Sequence, residues 1–255
     1  MMNLRSAFLT VTVIFSGWLG PSAAPARAAD MNRAEVLETI ATASKGQPPN
    51  FYNKDLTGLD LAGVNFRGAN LRSIDFSNAD LHGANLSGAD LDLGRLIGAN
   101  LARADLQSAS LFGASFVRAN LSGANLSRAR IVADFERADL RGAVLRDARM
   151  GADMTNQSMG LMRSTLVKAD LRNAELHGAN LYSAVLRFAD LRGADLSDAE
   201  LGNSDLSGAD LTGANLTDAD LAGARLTQAI LRDVRGWATV RGRDKTVDSE
   251  HAIFH

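Results

Sequence analysis

Residues 54–93 read KDLTG LDLAG VNFRG ANLRS IDFSN ADLHG ANLSG ADLDL, one pentapeptide written over and over. With the Leu or Phe in the third place of each unit taken as its centre, centres fall at Leu56, Leu61, Phe66, Leu71, Phe76, Leu81, Leu86 and Leu91. The series begins at Phe51 and runs without a slip to Ile131; a second series in the same phase runs from Leu161 to Leu231. Two residues before the centre stands Ala in most units, and one before stands Asp or Asn. A helix of 3.6 residues per turn would carry such centres about 140° further round at each unit, so they would form no face. Gly, Asn, Asp and Ser recur in nearly every unit, where they favour turns. A plain strand alternates with period two. What fits is a short extended step followed by a bend, with the centre and the Ala both pointing to one side. One unit cannot bury its Leu alone, so units must stack.

Units such as Ala79-Asp80-Leu81-His82-Gly83 and Ala209-Asp210-Leu211-Thr212-Gly213 resemble the A-(D/N)-L-x-x consensus of the pentapeptide-repeat family. The resemblance implies an all-β fold: a right-handed quadrilateral β-helix, four pentapeptides to the coil, with about 35 units making about nine coils. Most members share the fold without sharing an activity. Some resemble B-form DNA and inhibit type II topoisomerases, a mode that needs a long acidic face in the cytoplasm.

Composition agrees with a solenoid core. Ala (42) and Leu (35) dominate the 255 residues, and aromatics reach only 5%, so the interior must consist of small, near-identical compartments. The absence of Cys excludes disulfides, thiolate zinc sites and cysteine nucleophiles. A net charge of −2 speaks against a nucleic-acid binder with a basic face.

The first 28 residues have the form of a secretory signal peptide: Arg5, an apolar run from Ala7 to Leu19, and Ala26-Arg27-Ala28, which places cleavage between Ala28 and Ala29. The run is shorter than the roughly 20 residues of a membrane span. The expected product is a periplasmic or secreted protein without stable membrane insertion, its net charge moved from −2 to −4 by loss of Arg5 and Arg27.

The expected organisation is a signal peptide (1–28), a capping helix and linker (29–50), a repeat domain (51–235) with a register break at about 132–165, and a C-terminal cap with a flexible tail (236–255). Asn32 and Glu35 have capping-box spacing, and Val36, Leu37 and Ile40 share one helix face that would cover the open N-terminal edge. Trp237 would cover the last coil. In the break, Ala133-Asp134-Phe135 comes one residue early, and a bulge or short loop is expected near Thr155 to Gly160. Four of the seven Met residues (Met150, Met154, Met159 and Met162) lie there, as filler of an irregular seam; no His accompanies them to suggest a copper site.

No catalytic constellation stands out. His82, His177, His251 and His255 are scattered, the Asp residues serve bends, and no cofactor or metal is expected. On twenty-residue coils, Arg72, Arg172, Arg192 and Arg232 share a wall with Asp190 and Asp210, a mixed-charge face. Leu93, Ile97, Phe112 and Val117 occupy outward positions around one corner, and Tyr182, Val185 and Phe188 form a second outward apolar group beyond the break. Such groups mark either a contact surface for a protein partner or a patch covered by the bulge. The expected function is that of a non-enzymatic exported scaffold whose partner is an unknown protein, with a homodimer possible through a rod end and no nucleic acid. The alternative is a DNA-mimicking topoisomerase inhibitor.

Overall fold

Each pentapeptide folds as the period requires. The carbonyl of a centre accepts the N–H of the residue three further on, as Ala84 N–H donates to Leu81 O at 2.9 Å. The third residue of that turn has positive φ (Gly83, +61°), the mark of a type II turn. The Asp or Asn before the centre closes the bend from the other side: Asp80 Oδ1 accepts from His82 N–H at 3.0 Å and Asn120 Oδ1 from Ser122 N–H at 3.1 Å. This local acceptor is the physical reason for the Asp and Asn in nearly every unit.

A computed structural model describes residues 29–43, 46–152 and 163–254. The expected signal segment, Ala28 of the cleavage site, Thr155 to Gly160, Met154, Met159, Met162 and His255 lie outside the described residues. Ala29 lies within them.

The bends wind the chain into a right-handed quadrilateral β-helix. Equivalent residues of successive coils pair in parallel at intervals of twenty, as Asn50 with Asn70 and Asp80 with Asn100. We number the walls by their centres: wall 1 from Phe51, wall 2 from Leu56, wall 3 from Leu61 and wall 4 from Phe66. Centres and the Ala residues two before them are buried along the whole rod, forming a solid Ala–Leu interior. Where one inward residue is oversized, its neighbour shrinks: Ile74 takes an Ala position on wall 2, and Gly94 stands directly above it. At least 39 residues join the four ladders of pairs, so the rod has about ten coils and is roughly 43 Å long at 4.8 Å per rung.

The register breaks twice. Strand β1 (Ser110–Ser115) and strand β2 (Arg130–Asp134) pair in parallel; the interval falls from twenty residues at Ser110–Arg130 to nineteen at Ser115–Asp134. The early Ala133-Asp134-Phe135 is this deletion, and the rings of Phe116 and Phe135 stack across it at 4.9 Å. Then Asp134 pairs with Thr165, an interval of 31, so this coil holds eleven residues more than a plain one, and its stretch between Ala152 and Arg163 lies outside the described residues. Met150 donates to Asn180 O at 2.8 Å and so holds the place beneath Leu181. In the plain five-residue phase that place would belong to Leu161; the first described centre after the break is Leu166.

Helix α1 (Arg33–Thr42) opens with both bonds of the capping box, Glu35 N–H to Asn32 Oδ1 at 3.1 Å and Asn32 N–H to Glu35 Oε2 at 2.7 Å. Val36 is buried and Ile40 half-buried, but Leu37, expected on the same face, is 44% exposed. Side chains also complete the edge. Asp30 brackets Asp55 through its N–H and its carboxylate, and the Arg33 guanidinium donates to Asp60 O and Ala62 O.

The expectation of a flexible tail is corrected. Arg241, Val247 and Ile253 pair with Asp220, Arg225 and Ile230, so 236–253 winds a further coil. Its units have six residues, the extra one absorbed in a 3₁₀ turn at Trp237–Thr239, Arg243–Lys245 and Ser249–His251. Trp237 meets Phe254 edge to face at 5.3 Å. No helix among the described residues is long and apolar enough to cross a membrane.

Candidate functional site

The two breaks change which residues share a wall. Intervals of nineteen and 31 replace two of twenty, which turns everything after the break by half a coil relative to a plain count. Arg72 therefore stands on wall 1, whereas Arg172, Arg192 and Arg232 stand on wall 3; the expectation that all four share a face is corrected.

The same half-turn unites the two apolar groups. One outward ladder of wall 1 runs Tyr52, Arg72, Asp92, Phe112, Val132, Gly151, Tyr182, as the adjoining pairs from Asn50–Asn70 to Arg149–Asn180 dictate. Phe112 and Tyr182 thus lie in one line. Ile97 and Val117 follow on wall 2, joined by Gly98 N–H to Val117 O at 3.0 Å, with Val185 and Phe188 on the same wall higher up. Leu93 and Phe188 are the most exposed of the group, at 50% and 56%; Ile97, Phe112, Val117 and Tyr182 are half-buried. Tyr52 (58% exposed) and Val132 belong to the same line and were missed in the sequence, Tyr52 because it stands three coils from its partners.

A common device seats three of the large outward side chains, Leu93, Tyr182 and Phe188: each leans over a glycine of the next coil. A Cβ on Gly113 would meet Leu93 Cδ2 at 2.8 Å, one on Gly208 would meet the Phe188 ring at 2.5 Å, and one on Gly202 would meet the Tyr182 ring at 3.0 Å. Tyr182 is also held by Asn203 Nδ2, which donates to its hydroxyl. Phe112 carries the Arg130 guanidinium 4.7 Å above its ring centre. The nearly buried Asp92 anchors this line: it accepts from Ser110 Oγ at 2.6 Å and from Phe112 N–H at 2.9 Å, with Arg72 at 3.3 Å. Ser110 stands where other units have Asp or Asn, and the carboxylate one coil below replaces the missing acceptor.

Wall 3 is different. Arg141 holds Asp139 at 2.6 Å and reaches Asp170 at 3.7 Å; Arg172 holds Asp170 at 2.7 Å and reaches Asp190 at 3.5 Å; Arg192 holds Asp190 at 2.6 Å and reaches Asp210 at 3.8 Å. The Arg141 hydrogen bond holds the Asp139 carboxyl below its ordinary range. For Asp190, burial pushes upward, but the bonds from Arg192 outweigh it and the net shift is down. Basic side chains stand on every wall (Arg72, Arg95, Arg141, Arg146), so no wall is uniformly acidic.

Asp248, Glu250 and His251 approach within 4.8 Å of one another near the C-terminus. Asp248 is already taken by Arg225 at 2.9 Å and Thr227 at 2.8 Å. His82 and His177 stand on different walls, each beside an Asp. A depression of about 500 Å³, open to solvent, lies on wall 1 between Tyr182 and Lys245.

A rod of parallel rungs with a solid apolar core is a β-solenoid scaffold, and its chemistry resides on its walls. Pentapeptide repeats match residues 55–92, 95–130, 161–198 and 194–233, in eight copies. HetL, a pentapeptide repeat protein involved in heterocyst differentiation regulation in the cyanobacterium Nostoc sp. strain PCC 7120, is similar over 88% of this chain and 94% of its own, at 31% identity and a TM-score of 0.51. The chain belongs to the pentapeptide repeat family. QnrB1, a plasmid-mediated fluoroquinolone resistance protein, is similar over 67% of this chain and 85% of its own, at 22% identity and a TM-score of 0.35. A pentapeptide repeat protein of the Arabidopsis thaliana thylakoid lumen covers 45% of this chain and 66% of its own, at 30% identity and a TM-score of 0.27. No curated protein matches the chain.

Proposed function

We propose that this chain is an exported, non-enzymatic scaffold that binds a protein partner through walls 1 and 2. The observation that carries the reading is the convergence of Leu93, Ile97, Phe112 and Val117 with Tyr182 and Phe188 on two adjoining walls, although a plain count of coils would set the two groups apart. Outward apolar side chains grouped on two adjoining walls of an otherwise polar exterior mark an interaction site. The signal-like sequence of the first 28 residues supports export, and the C-terminal coil, with Val247, Ile253 and Phe254 partly exposed, offers an end at which a second copy could stack.

The test is Ile97→Asp with Phe112→Asp, in cells, with crosslinking and N-terminal sequencing of the recovered protein. The expected product lies in the periplasm or medium and begins at Ala29; wild type crosslinks to a defined partner, and the folded double variant loses it. A variant that keeps its fold and its partner would overturn the surface assignment. A cytoplasmic product that retains Met1 or Met2 would overturn export.

A further inference from the structure

Wall 2 also carries an arrangement of charge that the apolar group does not explain. The outermost residue of each unit there, stacked from coil to coil, runs Gly98, Arg118, Arg137, Lys168, Phe188. The stacking is fixed by backbone bonds, Arg118 N–H to Glu136 O at 2.9 Å, Arg137 N–H to Val167 O at 3.0 Å and Lys168 N–H to Arg187 O at 3.0 Å. Three cations therefore occupy successive rungs, about 4.8 Å apart. All three are exposed, and Arg187 and Arg163 are exposed close by. Among the described residues, Arg118, Lys168, Arg187 and Arg163 make no ion pair, and Arg137 has only Glu136 at 3.6 Å. Wall 3 gives Arg141, Arg172 and Arg192 each an Asp within 2.7 Å. Like charges on neighbouring strands repel, so the fold tolerates on wall 2 a repulsion that it neutralises one wall away, in a chain of net charge −2.

We propose that this edge of wall 2 docks on an anionic phospholipid bilayer, the cations meeting lipid phosphates and the exposed Phe188 at the end of their row entering the interface. Charge complementarity selects an anionic surface, and the apolar Phe188 next to Lys168 selects one with an accessible hydrocarbon layer. A bilayer suits the dimensions better than an acidic protein does. Arg118 to Phe188 spans three rungs, about 14 Å, whereas a stable protein interface occupies about 800 Å² on each partner. Fluid lipids rearrange beneath a narrow row of charges. The docking is peripheral; it shares wall 2 and Phe188 with the proposed protein-binding surface, and its test reads lipid binding alone.

The experiment is flotation of the protein recovered from cells expressing the full gene, with its N-terminus verified, on vesicles of roughly one-third phosphatidylglycerol in phosphatidylethanolamine and on pure phosphatidylcholine. Each cation is worth about fivefold in adsorption. Arg118→Gln and Lys168→Gln singly should each weaken binding to the anionic vesicles about fivefold, and the triple variant with Arg137→Gln by about a hundredfold. High salt should release wild type, and phosphatidylcholine should not retain it. The triple variant should melt close to wild type, since it loses the repulsion along the row and one exposed ion pair, Arg137 with Glu136. Equal binding by wild type and the variants would overturn the proposal, as would absence of binding to anionic vesicles. Retention on immobilised poly-glutamate without vesicle binding would overturn it too, and would assign the edge to an acidic protein.

Discussion

Gly94 stands where the repeat normally places Ala, and its neighbour one coil below, Ile74, is larger than Ala and fully buried. A Cβ on Gly94 would lie 3.4 Å from Ile74 Cγ2 and 3.4 Å from Leu96 Cδ1, both in the closed interior. It would also lie 2.9 Å from Leu91 O, a contact made within the pentapeptide turn itself. The coils cannot spread to make room, because Arg95 N–H donates to Ile74 O at 2.8 Å and Leu96 N–H to Ser115 O at 2.7 Å. Gly94→Ala should therefore overpack the core and cost about 1–3 kcal/mol. Ile74→Ala alone should leave a cavity and cost about 2–5 kcal/mol. Together the two substitutions rebuild the Ala-over-Ala stacking used elsewhere along the rod, so the double variant should cost at least about 1 kcal/mol less than the sum, a coupling of the size seen between residues in contact. Urea denaturation of the four proteins, followed by circular dichroism, measures the cycle. Strict additivity would refute the size exchange between these positions.

Ser204 occupies another Ala position, fully buried, and its hydroxyl finds no partner among the described residues; Ser204→Ala should stabilise the protein by about 1 kcal/mol in the same assay. Ser164, equally buried, donates to Ile131 O at 3.0 Å, and Ser164→Ala should be neutral or destabilising by about 1 kcal/mol. The lowered carboxyls of Asp139 and Asp190 contribute stability that is present above the unfolded carboxylate range near pH 4 and is lost as pH falls through their folded values. The urea midpoint should thus drop between about pH 4 and pH 2, and Asp139→Asn with Asp190→Asn should flatten that drop; an unchanged profile would show that the wall 3 ladder is not the source.

The period, the bend chemistry and the capping box were all legible in the sequence, because each is a local rule. Ala79-Asp80-Leu81 needs no distant partner to declare which side chains turn inward, and Asn32 and Glu35 satisfy each other within one helical turn. What sequence counting missed depends on how units add up around the coil. The intervals of nineteen and 31 together add ten residues and turn the later coils by half a circuit, so Arg72 parts from Arg172 and Tyr182 joins Phe112, although no residue near either position signals it. The last coil escaped because its period changes from five to six. Gly236, Gly242 and Asp248, all at positive φ, mark the new spacing, but the polar sequence between them resembles a tail. Leu37 was misplaced for a simpler reason: the helix lies against the edge of a narrow rod and buries little more than Val36 and Ile40.

The alignment of the candidate surface rests on the stacking of coils across the register break, and a disulfide tests that stacking directly. The chain has no cysteine, so Arg137→Cys with Lys168→Cys provides a single possible pair. These residues occupy adjoining rungs, since Asp134 pairs with Thr165 three residues earlier in each. At about 4.8 Å between rungs they fall within the range of Cα separations that a disulfide spans, roughly 4.4–6.8 Å. Arg118→Cys with Lys168→Cys, two rungs apart, falls outside it. Rapid oxidation of the first pair and not of the second, read as a mobility shift before and after reduction, is the predicted result. Failure of the first pair to close in the folded protein would contradict the stacking, and with it the single surface formed by walls 1 and 2.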